Sequence, residues 1–215
     1  MKIDNAVVVI TAGGSPSGRA MAEHFCSLGA DVALLDTEWP ALRLSVDQCR
    51  PLVGRVQPIC LADDQPASVH DAFAQVIQLF GGIDVLINQW QGDILPSLFD
   101  NGAWCDIPKT LTDTTSQCYL VVQHAAECMQ QRGRPGVIIN VAGVHLTPDT
   151  VANAMIGGLT QRWAKELSGL KIRVGGIVPL HRRRSTGDLD DELIRNAEYI
   201  VSNDSFNGRL LEASG

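Results

Sequence analysis

The stretch Val7-Val8-Val9-Ile10-Thr11-Ala12-Gly13-Gly14-Ser15-Pro16-Ser17-Gly18-Arg19-Ala20-Met21-Ala22 decides how this chain is read. Four apolar residues in a row, mostly β-branched, describe a strand buried on both faces, as in a parallel sheet. A Gly/Ser/Pro turn follows, then a helix with Met21, Phe25 and Leu28 on one face. A strand, a glycine-rich turn and a helix in that order make an anion cradle. The first helical turn offers free N–H groups and the positive end of a dipole, where a dinucleotide pyrophosphate docks.

The pattern repeats outward along the chain. Asp31-Val32-Ala33-Leu34-Leu35-Asp36 is a second strand ending in an acid. Glu38 to Arg50 reads as a helix with Pro40 in its first turn, and Val56 to Leu61 as a third strand. Ser68 to Phe80 has helical spacing at Val69, Phe73, Val76, Ile77 and Phe80, and Gly81-Gly82 stops it. Ile83 to Asn88 is a fourth strand, residues 109–131 a long helix and Gly136 to Val141 a fifth strand. Thr150 to Leu167 reads as a helix, Lys171 to Val178 as a sixth strand, Leu189 to Val201 as a helix and Arg209 to Glu212 as a last strand. Alternating strands and helices predict an α/β fold, a doubly wound parallel sheet of about seven strands with right-handed crossovers. With no repeat or linker, residues 1–215 read as a single domain.

Composition narrows the function classes. At 45% hydrophobic and 19% charged residues the chain is too apolar for disorder. A net charge of −7 argues against nucleic acid as the main partner, because a phosphate backbone calls for a basic face. The six cysteines show no C-x-x-C spacing, and several lie in apolar runs, so reduced, buried thiols are expected. No signal peptide or membrane-length apolar run is seen, which predicts a cytoplasmic protein without membrane contact. No His/Cys cluster has metal spacing, so no metal is expected.

Several short pieces stand in a telling order. After the opening turn come Leu86-Ile87-Asn88, Gly136-Val137-Ile138-Ile139-Asn140-Val141 and Gly158-Leu159-Thr160. Ile172-Arg173-Val174 with Pro179 follows, and then Tyr199-Ile200-Val201-Ser202-Asn203-Asp204-Ser205-Phe206-Asn207-Gly208. In this order the chain resembles the short-chain dehydrogenase/reductase family along nearly its whole length. The resemblance implies a Rossmann-like fold, a nicotinamide dinucleotide, oxidoreductase chemistry and a homodimer or homotetramer.

Against that family's T-G-x-x-x-G-x-G turn, Thr11 and Gly18 match, whereas Ala12 and Pro16 replace glycines. Ala12 is a small change. Proline fixes φ, removes an N–H and adds a ring where a pyrophosphate would approach, so Pro16 is the severe one. The candidate cofactor set is Thr11, Gly14, Ser15, Ser17, Gly18, Asp36 and Asn88. Asp36 stands where an acid accepts from ribose hydroxyls and disfavours a 2′-phosphate, which selects NAD over NADP if either is held. A second reading makes Asp36 a cap for the next helix. Where the family reads N-N-A-G this chain has Asn88-Gln89-Trp90-Gln91. Trp90 either fills the nucleotide space or points outward. Pro16 and Trp90 both stand against NAD.

The resemblance also implies a tyrosine acid/base with a lysine four residues later, a serine and a supporting asparagine. The chain has two tyrosines, Tyr119 and Tyr199, followed four residues on by Gln123 and Asn203. The family-equivalent positions are Thr114, Gly143, Asp149 and Asn153. An ionised Asp149 cannot protonate an alkoxide, Asn153 brings no positive charge and Gly143 has no side chain. One positioned acid/base group is worth roughly 10²–10⁴ in rate. The expectation is a non-catalytic subunit or a ligand-binding or scaffold module, with an unorthodox NAD(H)-dependent oxidoreductase as the alternative. A partnership with an active relative fits the former.

Three features remain. His145 and Asp149 suit either a hydrolase-like base and its orienting acid or a loop histidine and a helix cap. The 180–188 region reads as a shortened substrate lid, and its Arg182-Arg183-Arg184 run either binds an anion or is simply solvated. On the helix from Thr150, Val151, Met155, Leu159 and Trp163 form a stripe that packs on its own sheet or on a partner. Gly157-Gly158 suits close approach of another backbone.

Overall fold

Strand β1 (Val7–Thr11) sits at the middle of the fold because every one of its residues is buried. A computed structural model describes residues 1–63, 65–89, 107–143, 150–179 and 186–214, excluding the side chains of residues 107–114, 150–152 and 186–188. After β1 come α1 (Pro16–Ser27), β2 (Asp31–Asp36), α2 (Trp39–Cys49), β3 (Val56–Cys60) and α3 (Pro66–Phe80). The second half carries β4 (Val85–Gln89), α4 (Ile107–Arg132), β5 (Gly136–Val141), α5 (Thr150–Leu167), β6 (Ile172–Pro179), α6 (Thr186–Ser202) and β7 (Leu210–Ala213). The seven strands lie in the order β3-β2-β1-β4-β5-β6-β7. All neighbours are parallel, with Val8 opposite Val32 on one side and Val85 on the other.

The period-two alternation of a strand divides its side chains between two cores. Val7 and Val9 of β1 face the layer built by α3, α4 and α5, with Phe73, Met129 and Trp163. Val8 and Ile10 face the layer of α1, α2 and α6, with Phe25, Leu42 and Ile200. Burial on both faces explains the unbroken apolar runs.

Several boundaries differ from expectation. Helix α2 runs over Trp39–Cys49 rather than 38–50, because Glu38 and Arg50 are its caps. Leu61 falls outside β3, and Gln89 extends β4 by pairing with Val141. Ile83 and Asp84 precede that strand; Asp84 instead accepts the Val7 N–H at 2.9 Å and pairs with Arg132 at 2.9 Å, pinning the starts of β1 and β4 to the end of α4. Helix α4 begins at Ile107 and ends at Arg132, α6 begins at Thr186, and β6 runs to Pro179. Leu28 is the C-cap of α1 and is exposed, and Ile77 also faces water, so neither joins the core. Pro58 is tolerated in β3 because that strand is an edge with one neighbour. Of the cysteines, Cys26, Cys49 and Cys118 are buried as expected, whereas Cys60 is exposed on this edge strand.

The turn before β3 is fitted tightly against the end of α1. The Gly54 N–H donates to the Cys26 carbonyl at 2.9 Å. A Cβ at Gly54 would lie 1.8 Å from the backbone oxygen of Ala30, which no side-chain rotation relieves. Gly54→Ala should therefore destabilise the fold by about 2 kcal/mol or more. Urea denaturation checks this; a change under about 0.5 kcal/mol would contradict the close approach.

Candidate functional site at the end of strands β1 and β4

The strand order reverses between β1 and β4, and a crevice opens beyond the carboxyl ends of strands at such a point. Here it is a cleft of about 190 Å³, walled by Leu61, Val69 and Val121, with Thr11, Asp36 and Thr37 at its polar side. Thr11, Asp36 and Asn88, three of the seven candidate residues, line it.

The glycine-rich turn beside the cleft satisfies most of its own donors. The Gly13 N–H donates to the Leu35 carbonyl at 3.0 Å, and the Ser15 N–H to the Ala12 carbonyl at 3.0 Å. The Gly14 N–H donates to Oδ2 of Asp36 at 2.9 Å. Ser15 is the N-cap of α1, and its Oγ accepts the Gly18 N–H at 3.0 Å. Pro16 falls in the first helical turn, where its missing N–H would be unpaired anyway and its fixed φ suits the helix. It therefore does not break the turn; what it removes is one donor at the mouth. Within Gly13–Gly18 only the Ser17 N–H has no acceptor among the described residues.

Ala12, expected to be the mild replacement, carries the strain. Its φ is 50°, in the left-handed region that glycine adopts freely. Gly14 and Gly18 are needed for close approach. A Cβ at Gly14 would lie 2.6 Å from the Ala41 Cβ, and one at Gly18 would lie 2.3 Å from the Ala12 carbonyl oxygen.

Asp36 lies at the end of β2, where its carboxylate is used by the neighbouring backbone. Besides Gly14 it accepts the Glu38 N–H at 3.2 Å, just ahead of α2. Asp36 is also among the residues that line the cleft.

A buried polar network holds β1 to β4. The Gln89 N–H donates to Thr11 Oγ1 at 2.8 Å, and Gln89 Nε2 donates to the Thr11 carbonyl at 2.9 Å. Ser17 Oγ donates to Gln89 Oε1 at 2.7 Å. Thr11 Oγ1 reaches Asn88 Oδ1 at 3.2 Å, and Asn88 Nδ2 donates to Cys118 Sγ at 3.3 Å. Burial pushes the Cys118 thiol up to about 12, so it is a neutral wall of the cleft. Asn88 and Ser17 thus serve as struts, their polar atoms committed to protein. Sequence reasoning treated Gln89 only as a mismatch and did not find Cys118. The Gln89 signal was legible, since a long amide after a buried asparagine must be satisfied by neighbouring backbone.

Three of the four family-equivalent reaction positions, Thr114, Gly143 and Asn153, fall among residues whose backbone is described. Gly143 follows β5, and Thr114 lies on α4 with its side chain outside the described residues. Asn153, on α5, donates its amide to the Pro179 carbonyl at 3.3 Å. Tyr119 is half exposed on α4, its ring 6.2 Å from Trp163, and Tyr199 on α6 accepts from Asn203 at 2.7 Å. Neither lines the cleft. Trp90, His145, Asp149 and Arg182-Arg183-Arg184 lie outside the described residues, as does most of the expected lid at 180–188. Among the described residues no three His, Cys, Asp or Glu side chains gather as a metal site, and no helix is long and apolar enough to cross a membrane.

This is the nucleotide-binding class of doubly wound α/β protein, with its cleft at the switch point. The model of the short chain dehydrogenase family matches residues 6–182, and the chain belongs to that family. It is 28% identical over 186 residues to the 3-oxoacyl-[acyl-carrier-protein] reductase FabG of Thermotoga maritima, covering 83% of this chain and 75% of that one. It is 33% identical over 200 residues to the uncharacterized oxidoreductase YohF of Escherichia coli, covering 88% and 78%. A short-chain type dehydrogenase/reductase from Mycobacterium marinum superposes with a TM-score of 0.83 at 22% identity, over 98% of this chain and 95% of that one.

The family typically binds NAD or NADP, and this site fits such a cofactor in part. The cleft and Asp36 suit an adenosine portion. The turn offers the pyrophosphate one unpaired N–H, and Asn153 supplies no ammonium for the nicotinamide ribose.

Ala12→Gly should relieve the left-handed strain and stabilise the protein by about 0.5–1 kcal/mol, net of the entropy glycine adds to the unfolded chain. A fall in melting temperature on that substitution would show that Ala12 is not strained.

Proposed function

We propose that this short-chain dehydrogenase family member is non-catalytic and works as a ligand-binding or companion subunit. The observation that carries the reading is Asn153. It stands at the family's lysine position, brings no charge, and gives its amide to the Pro179 carbonyl instead of to a ligand. No ammonium is then present to hold a phenol in its reactive range, and neither tyrosine of the chain is at the cleft. Of the side chains bordering the cleft, Thr11, Asn88 and Gln89 are bonded to one another, and Cys118 is held neutral by burial. None of these four described residues is placed to exchange a proton at neutral pH.

The second reading is an oxidoreductase with an unorthodox site. Asp36 favours it, because a carboxylate at the end of β2 that borders the cleft is the NAD-selecting arrangement. Steady-state assay with NAD, NADH and a panel of alcohols and carbonyls separates the two. The expected result is no change in nicotinamide absorbance above a boiled control. A steady rate proportional to protein would overturn the non-catalytic reading.

The partner is a second copy of this chain or an active relative, met through α4 and α5. Two features support this. Tyr119 presents half of its ring to water on α4, and a Cβ at Gly158 on α5 would meet nothing within 4 Å. The stripe itself serves the monomer: Trp163 is buried and Met155 and Leu159 pack against the core, while Gly157 leaves room for Leu210 at 3.1 Å. Gly158→Trp should leave the melting curve cooperative and convert a dimer or tetramer to monomer in sedimentation analysis. A monomeric parent chain that also fails to pair with a relative would remove the proposal.

A further inference from the structure

A second cavity lies at the opposite end of the strands from the cleft, just before β1, β5 and β6 begin. Its volume is about 570 Å³, within the roughly 300–1,000 Å³ of small-molecule pockets and larger than an inorganic anion needs. Ala6, Pro135 and Ile172 give it apolar walls. Its rim is pinned by backbone bonds. The Gly136 N–H donates to the Lys171 carbonyl at 3.2 Å, which sets the segment carrying Arg134 beside the one carrying Lys171. The Ala6 N–H donates to the Ile3 carbonyl at 2.9 Å.

The charges around this cavity do not cancel. Asp84 is paired with Arg132 at 2.9 Å, and Asp204 with the Met1 amino group at 2.8 Å and Arg173 at 3.5 Å. Asp4 is the one lining acid that forms no ion pair among the described residues. Lys2, Arg134 and Lys171 also border the cavity, and they too form none among the described residues. Three uncompensated cations thus stand against one carboxylate, in a chain whose net charge is −7. Arg173 adds to them. Its guanidinium donates to the carbonyls of Ile200 at 2.8 Å, Val201 at 2.9 Å and Phe206 at 3.0 Å, and its Nε–H has no acceptor among the described residues. Neutral carbonyls hold that charge without cancelling it, and the spare donor is left for solvent or a ligand.

Lys171 is also strained. Its φ is 59°, in the left-handed region where glycine is at ease and a lysine is not. Strain of that kind gathers at ligand sites.

We infer that this cavity binds a small organic dianion, with Arg134 and Lys171 meeting its charges and its carbon skeleton lying against Pro135 and Ile172. A concave basic site focuses the field and raises the local concentration of anions, here against the overall charge of the chain. Dicarboxylates and phosphate monoesters share this chemistry, and the fork of Arg134 takes either group in two hydrogen bonds.

Isothermal titration of the full chain with succinate, 2-oxoglutarate, glucose 6-phosphate, glucose and inorganic phosphate tests this. At low salt at least one organic dianion should bind about tenfold more tightly than glucose or inorganic phosphate. Raising the salt about tenfold should weaken that binding several-fold. A lead for succinate or 2-oxoglutarate marks a carboxylate ligand, and a lead for glucose 6-phosphate marks a phosphate ester. Arg134→Ala should weaken binding about tenfold, and Asp4→Asn should tighten it, since it removes the one uncompensated acid. Lys171→Gly should weaken binding about tenfold without lowering the melting temperature, because glycine adopts that φ freely. The inference is overturned if no organic dianion of the set binds more tightly than inorganic phosphate, or if binding survives both Arg134→Ala and Lys171→Gly. Neither outcome touches the non-catalytic reading, which falls only to turnover of NAD(H).

Discussion

The bond from the Gly14 N–H to the Asp36 carboxylate joins the turn after β1 to the end of β2, and much of the site follows from it. A glycine-rich turn at the head of a helix exposes several N–H groups at once. Buried or half-buried, each must find an acceptor, from a ligand or from the chain. This chain supplies its own: a carboxylate for Gly14, a serine hydroxyl for Gly18 and carbonyls for Gly13 and Ser15. The carboxylate cannot be moved without leaving Gly14 unpaired beneath Ala41, whose Cβ is only 2.6 Å from the place a Gly14 Cβ would take. The turn, β2 and α2 are thus fixed as one unit.

Most of the fold was legible because its cause is periodicity and burial. Runs such as Val7-Val8-Val9-Ile10 and Gly136-Val137-Ile138-Ile139-Asn140-Val141 can be buried only between two helical layers, and they lie there. Element ends were less legible, because they depend on single side chains. Asp84 reads as a strand residue by propensity, yet its carboxylate is claimed by the Val7 N–H and Arg132, and the strand begins one residue later. Leu28 fits the apolar face of α1 by spacing, but the helix ends before it.

The site was legible in kind and not in weight. Sequence marked Pro16 as the damaging residue and Ala12 as the benign one. That weighting concerned a pyrophosphate's approach; for the turn itself, proline is at home in a first helical turn and alanine is strained at a φ of 50°. Only the local dihedral distinguishes the two cases, and residue type alone does not fix it. Gln89 escaped for a related reason. Its amide spans Ser17 and Thr11, two residues that come together only once β1 lies beside β4. Asp36 was left with two roles; its carboxylate accepts from Gly14 and from Glu38 just ahead of α2, and it borders the cleft.

A site whose donors are already satisfied changes how ligand and stability are linked. A bound ligand stabilises a fold in proportion to RT ln(1 + [L]/Kd), and a turn that relies on its cofactor for acceptors is correspondingly weaker without it. Here the Gly13, Gly14, Ser15 and Gly18 donors are satisfied within the chain, and Gln89 ties the turn to β4 through the Ser17 hydroxyl. The cleft shares Leu35, Val69, Cys118 and Val121 with one apolar layer of the sheet, while the other layer lies on the opposite face. Asn153, whose amide goes to the Pro179 carbonyl, belongs to neither apolar layer. That separation accounts for a chain whose fold is fully that of its relatives while Asn153 bonds its own backbone.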